Sequence, residues 1–269
     1  MISESAAKLR RAAIGTIKQR EKDRLASRHK KPIAAFFKRQ KGAVLAEMGK
    51  YQFLFSESYR KLSESNIDFT GQNWDRVWQE IARNSEGELQ HIIAAASADG
   101  LAAGADQLRR VMFDPKTAFS LANPRAVRWF QDNGGSVDKI RGIQQTTGDQ
   151  IKAVITTAID KGWSYDQTAK EISRKFDGFS KKRARTIAVY ETAQGYEEGN
   201  RLFADALKDD GVIMEKFYQT SEDDLVSDLC RNNQDDGWIP LNQTHSSGVQ
   251  QPPGHPNCRC YELYQEVPK

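Results

Sequence analysis

The stretch Lys161–Gly178, KGWSYDQTAKEISRKFDG, decides the class of the fold. Ser164 and Gln167 stand at capping-box spacing: the hydroxyl accepts from the amide three residues on, and the carboxamide returns to the cap's own N–H. Ala169, Ile172 and Phe176 follow at three- and four-residue steps, one face of a helix. Lys161-Gly162 reads as the close of the preceding helix and Gly178 as the stop of this one. Outward on one side, Thr147-Gly148-Asp149-Gln150 has capping-box form and predicts where that preceding helix begins. On the other, Ser180 predicts a longer helix through Ile187 and Ala188 to Leu207.

The same punctuation extends toward the start. Leu9, Ala13, Ile17 and Leu25 sit roughly on one face of a basic helix, and Pro32 suits the first turn of a new one. Ile33, Phe36, Phe37, Val44, Met48, Tyr51, Phe55, Tyr59 and Leu62 form an apolar stripe that must pack on other helices or on a partner protein. Thr70 is placed to cap a helix carrying Trp74, Val77, Trp78, Ile81, Leu89, Ile92 and Ile93. The Ala- and Gly-rich run Ala94–Ala105 permits close helix contact. Asp114-Pro115 and Asn123-Pro124 each read as a sharp helix start, and Gly134-Gly135 ends the helix with Val127, Trp129 and Phe130. A module boundary is expected near residues 114–123. It separates a basic arm and docking region (1–119) from a second region (120–269).

After Gly211 the period changes. Val212, Met214, Phe217 and Tyr218 look strand-like, as do Cys258, Cys260 and Leu263, with a turn-rich stretch between. The expected fold is mainly α: a multi-helix N-terminal and central region, with a small α+β C-terminal module from about residue 211.

Composition narrows function. The chain has 269 residues, 38% apolar and 28% charged, and no apolar run of 18, so no membrane span or membrane partner is expected. Residues 1–25 lack the apolar core of a secretory signal. Three cysteines make no disulfide framework, which points to a reducing compartment. A phosphate-binding glycine loop, a nucleophile elbow and a His-Glu-x-x-His helix are all missing. Charge is polarised: Met1–Lys41 holds 13 Lys+Arg against 3 Asp+Glu, a local +10 in a chain of net +4. Such an arm suits an acidic partner, nucleic acid above all. The candidate phosphate contacts are Arg10, Arg11, Lys18, Arg20, Lys22, Arg24, Arg28, Lys30, Lys31, Lys38, Arg39 and Lys41. About five or six can reach one duplex.

The most specific local sequence is Pro252-Pro253-Gly254-His255-Pro256-Asn257-Cys258-Arg259-Cys260. His255, Cys258 and Cys260, with Cys230 upstream, make three thiols and one imidazole, a composition known for structural zinc. On an extended segment Cys258 and Cys260 share a face. Two other readings stand beside zinc: buried thiols on a proline-ordered turn, and a catalytic thiol with His255. Upstream, Glu191 shares a helix face with Ala184, Ile187, Ala188, Gly195 and Leu202. A carboxylate there is either paired, with Arg259 the expected partner, or at a module edge; a catalytic role is the other reading, and a structural ion pair is the commoner outcome.

That tail closely resembles the C-terminal signature of the phage head morphogenesis family, minor head proteins similar to protein F of phage Mu. Three further segments resemble the family in order and spacing: Thr147–Ile151, Gly162-Trp163-Ser164 with its amphipathic helix, and Arg183–Thr192, RARTIAVYET. The resemblance covers roughly Asn123–Leu263. Many members carry Cys-x-x-Cys where this chain has Ser227-Asp228-Leu229-Cys230, so a fourth zinc ligand would have to be Cys260. The resemblance implies a minor capsid protein of a tailed phage with no catalytic activity. It would be made in the host cytoplasm and sit in the virion, inside the head near the portal. Its partners would be the portal protein, other capsid components and double-stranded DNA. Two alternatives are a DNA-binding accessory protein acting outside the virion, and a nuclease- or ADP-ribosyltransferase-like enzyme using Glu191 or His255.

Overall fold

The computed structural model describes residues 4–50, 74–112 and 120–267, with side chains from residue 11 onward. Within them run helices α1 (Glu4–Lys50), α2 (Trp74–Val111), α3 (Pro124–Asn133), α4 (Val137–Asp160), α5 (Tyr165–Asp209) and α6 (Asp228–Asp235). Strands β1 (Met214–Gln219), β2 (Trp238–Pro240) and β3 (Tyr261–Glu266) complete the order. The mainly helical class and the small C-terminal sheet agree with the sequence reading. None of these helices is long and apolar enough to cross a membrane. Tyr51, Phe55, Tyr59, Leu62, Thr70 and Asp114-Pro115 lie outside the described residues.

Two capping readings hold at atomic level. Ser164 N donates to Gln167 Oε1 at 2.8 Å, and Gln167 N donates to Ser164 Oγ at 3.2 Å, so the box opens α5. Asn123 Oδ1 accepts from Arg125 N at 2.9 Å with Pro124 in the first turn of α3.

Three punctuation readings are corrected. Thr147-Gly148 lies inside α4, not at its start. Gly148 is glycine because the Trp78 ring lies against it: an added Cβ would sit 2.3 Å from Trp78 Nε1. Gly178 does not stop α5. A solvated helical glycine costs only about 1 kcal/mol, and the packed rings of Phe176 and Phe179, 5.0 Å apart, carry the helix through it. Pro32 lies within α1 on its exposed side, where the carbonyl it frees reaches water.

The chain forms two compact units that interleave in sequence: residues 1–30, 93–134 and 185–269, and residues 31–92 and 135–184. The second is a helical unit. Its core gathers Val44 and Met48 from α1, Trp74, Trp78 and Ile81 from α2, Ile151, Val154 and Ile155 from α4, and Ile172 and Phe176 from α5. The described part of the apolar stripe, Ile33–Met48, is therefore buried by the chain's own helices and is no exposed docking surface.

In the first unit α2 and α5 cross at backbone contact. A Cβ on Gly104 would come within 1.8 Å of Tyr196 O, and one on Gly199 within 2.0 Å of Leu101 O. A Cβ on Gly100 or Gly195 would also meet backbone, at 2.3 Å and 2.2 Å, which gives the expected close approach of the Ala/Gly run its partner. After Gly211 (φ +89) the chain enters the antiparallel sheet, ordered β2-β1-β3. Phe217 pairs with Trp238 on one side and with Leu263 on the other. Met214, Lys216 and Tyr218 alternate onto the buried face of the central strand.

Candidate metal centre and buried charge network

The metal-ligand candidates come from two places in the first unit. Ser227 caps α6, its hydroxyl accepting from Cys230 N at 3.4 Å, and so sets Cys230 in the first turn of that helix. His255 and Cys258 come from the turn before β3, where Cys258 N donates to His255 O at 3.2 Å. Cys230 Sγ lies 3.8 Å from Cys258 Sγ and 3.4 Å from His255 Nε2. One ligand atom from each of the three residues falls within 4.8 Å of the other two. Cys260 stands outside that set but shares the apolar pocket with Tyr218, Val226, Cys230 and Cys258. Cys258 and Cys260 precede β3 rather than belonging to it, yet their thiols interact. Hydrogen bonding from Cys260 lowers the Cys258 thiol to about 5, and the same contact with burial pushes Cys260 up. Among the described residues all three cysteines are free and buried.

Polar groups surround the cluster. Tyr218 Oη is 3.3 Å from Cys230 Sγ and 3.7 Å from Cys258 Sγ. Burial and the neighbouring thiols push its phenol up, so it stays protonated and donates. His255 Nδ1 is 2.9 Å from Pro256 O, which makes that nitrogen the donor and turns the lone pair of Nε2 toward Cys230 and Ser227 Oγ, the latter at 3.0 Å.

A network of buried charges joins α1, α5 and the sheet. Glu197 Oε1 accepts from Lys22 Nζ at 3.0 Å, and Glu197 Oε2 from Lys18 Nζ at 3.4 Å and Glu262 N at 3.2 Å. The ammoniums also reach main chain: Lys18 to Glu262 O at 2.6 Å, Lys22 to Cys260 O at 3.1 Å. Burial opposes the Glu197 carboxylate, but the two ammoniums outweigh it and hold the group below its usual range. One carboxylate cannot fully compensate two cations, so burial still lowers Lys18. Beyond them, His245 Nε2 lies 2.9 Å from Glu262 Oε1, and Lys216 Nζ donates to Gln250 O at 2.5 Å.

This network corrects the reading of the basic arm. Lys18 and Lys22 are 2% and 4% exposed and face Glu197, so neither is available to a phosphate. Arg39 pairs with Glu88, and Lys41 with Asp177 at 2.8 Å. Arg20, Arg24, Arg28, Lys30, Lys31 and Lys38 are exposed. The half-buried Arg11 lies over the Phe217 ring at 5.5 Å. Arg10 falls before the described side chains. Beside α1 a groove is lined by Arg11, Arg20 and Arg259 with Gln219, Thr220 and Ser221. The proposed Glu191–Arg259 pair is also corrected: Arg259 bonds Asp223 at 2.5 Å, while buried Glu191 accepts from Ser97 Oγ at 3.4 Å.

Sequence reading missed Glu197, Glu262, His245, Lys216 and Tyr218. One signal was available. Buried positions along α1 step by three and four through Lys18, Lys22, Leu25, His29, Ile33, Phe36, Gln40, Val44 and Met48. The two lysines continue an apolar stripe, and a cation on a buried stripe implies a buried anion.

Helices cross at glycine contacts, and a small sheet closes over a thiol–imidazole cluster and a buried ion network; the arrangement is that of a helical scaffold with an α+β tail. Residues 149–262, somewhat less than half of the chain, match the family described as Phage Mu protein F like protein, so this part of the chain is similar to that family. The match begins inside α4 and ends in β3, taking in Glu191, Glu197 and all four metal-ligand candidates. Comparison with curated proteins and with solved structures gave no match.

Proposed function

We propose that this chain is a minor head protein of a tailed phage that associates with the portal protein and other capsid components. In this reading it sits in the virion, inside the head near the portal, and touches double-stranded DNA during assembly, packaging or ejection. Its role is structural, with no turnover of its own. The family match over residues 149–262 carries the reading. The exposed cations of α1 support the DNA contact: Arg20, Arg24 and Arg28 recur every four residues and so lie along one side of the helix. Arg11, beside Arg20 at one groove, adds a further guanidinium suited to a phosphate.

Purified heads test the assembly role: the chain should be present at low, stoichiometric copy number and co-purify with the portal. Absence from heads refutes it. Fluorescence titration of duplex DNA at several salt concentrations tests the contact, with five phosphates giving a log–log slope of about −4.5. Changing Arg20, Arg24 and Arg28 together to Gln should reduce that slope by about 2 to 3. An unchanged slope removes this face of α1 from the DNA interface.

A further inference from the structure

We propose that Cys230, His255, Cys258 and Cys260 hold one structural zinc ion. Zinc about 2.3 Å from thiolate sulfur and about 2.0–2.1 Å from imidazole nitrogen, with tetrahedral angles, sets sulfurs about 3.8 Å apart and sulfur from nitrogen about 3.6 Å apart. Cys230 Sγ and Cys258 Sγ are 3.8 Å apart, and Cys230 Sγ is 3.4 Å from His255 Nε2. Two edges of the coordination tetrahedron are thus already formed. A sulfur–sulfur distance of 3.8 Å is also far beyond a disulfide bond, about 2.05 Å.

The surroundings point the same way. A zinc-binding imidazole donates its second nitrogen to a carbonyl or carboxylate, and His255 Nδ1 meets Pro256 O at 2.9 Å, which leaves Nε2 as the ligand atom. Tyr218 Oη, within 3.3 Å and 3.7 Å of two sulfurs, donates to thiolates as an outer partner does. Cys260 shares the apolar pocket with Tyr218, Cys230 and Cys258, and closes the shell by turning its side chain toward them. Three sulfurs and one nitrogen, with Cys230, Cys258 and Cys260 at 5% exposure or less, leave no open position for water or substrate, so the site is structural. The ion would fasten the first turn of α6 to the turn before β3. Leu241–Cys260, the stretch between β2 and β3, contains neither helix nor strand, and the energy of binding would appear as folding energy.

The test uses the full chain, purified under reducing conditions without chelator. Elemental analysis should find about one zinc per chain. The apo chain titrated with cobalt(II) alone should give the visible absorption of a tetrahedral thiolate complex, bleached by added zinc. Cys258→Ser should abolish binding. Tyr218→Phe, which keeps all four ligands, should weaken it by about 10–100-fold, the usual effect of an outer partner. Cys260→Ser should weaken it by at least as much, whereas Gly87→Ala, with nothing within 4 Å of the added Cβ, should leave zinc affinity unchanged. Circular dichroism on each variant separates lost binding from lost fold. The proposal is overturned by a natively helical wild-type chain that neither carries zinc nor takes up cobalt, by bound iron in place of zinc, or by full zinc retention in Cys258→Ser. Retention of wild-type affinity in Cys260→Ser would overturn the four-ligand shell.

Discussion

Replacing Glu197 with Gln keeps the side chain's shape and removes one charge. In the folded chain that charge faces two ammoniums, Lys22 at 3.0 Å and Lys18 at 3.4 Å, all three groups 4% exposed or less. Gln can still accept one hydrogen bond and receive Glu262 N, but two buried cations would lose their shared counter-charge. Removing one partner of a buried ion pair costs about 3–5 kcal/mol, and two dependants place this case in the upper part of the range. At about 2–4 °C per kcal/mol, Tm should fall by about 8–20 °C. Thermal melts by circular dichroism at pH 7 measure the loss. Because Glu197 is held below its usual range, its contribution is complete above about pH 4.3, the unfolded value, and disappears as pH falls through the lower folded value. The gap between wild type and Glu197→Gln should therefore narrow in acid below that point. Converting the triad together, Lys18→Met, Lys22→Met and Glu197→Leu, should recover much of the loss, since nothing charged remains buried there without a partner. A Glu197→Gln chain within about 1 kcal/mol of wild type would refute the buried network as a source of stability.

Two further outcomes follow from the helices. Gly104→Ala places a Cβ 1.8 Å from Tyr196 O, so α2 and α5 must separate, and denaturant titration should show a loss of about 1–3 kcal/mol. Gly87→Ala, with nothing within 4 Å, should stabilise α2 by about 0.5–1 kcal/mol; equal effects at the two sites would dismiss the backbone crossing. Arg183→Lys should cost about 2 kcal/mol in the helical unit, because Lys cannot match both Thr147 Oγ1 at 2.7 Å and Ile143 O at 2.8 Å while lying over the Phe37 and Phe179 rings. A melt unchanged by that substitution would reduce the stacked guanidinium to a surface contact.

Local signals survived wherever their chemistry was local. The Ser164–Gln167 box, the Asn123-Pro124 start and the strand at Met214–Gln219 were all legible, because a cap, a proline or an alternation acts within a few residues of itself. Thr147-Gly148, Gly178 and Pro32 carry the same local signals and were misread. At Gly148 the residue serves an indole brought from another helix, and at Gly178 aromatic packing outweighs the small cost of one glycine. Glu191 reads from the sequence as a carboxylate paired with Arg259, but the structure sets Ser97 beside Glu191 and gives Arg259 to Asp223. The basic arm shows the limit most plainly. Sequence by itself determined that residues 1–41 carry a large positive charge and that the chain is mainly helical with a thiol-rich tail. Only the tertiary structure decided that Lys18 and Lys22 are interior ion-pair partners of Glu197 while Arg20, Arg24 and Arg28 remain in water. The reason is physical: charge is a property of a residue, but burial and pairing belong to a helix face and to whatever packs against it. Glu197 and the carbonyls of Cys260 and Glu262 meet those lysines from more than 170 positions away in the chain.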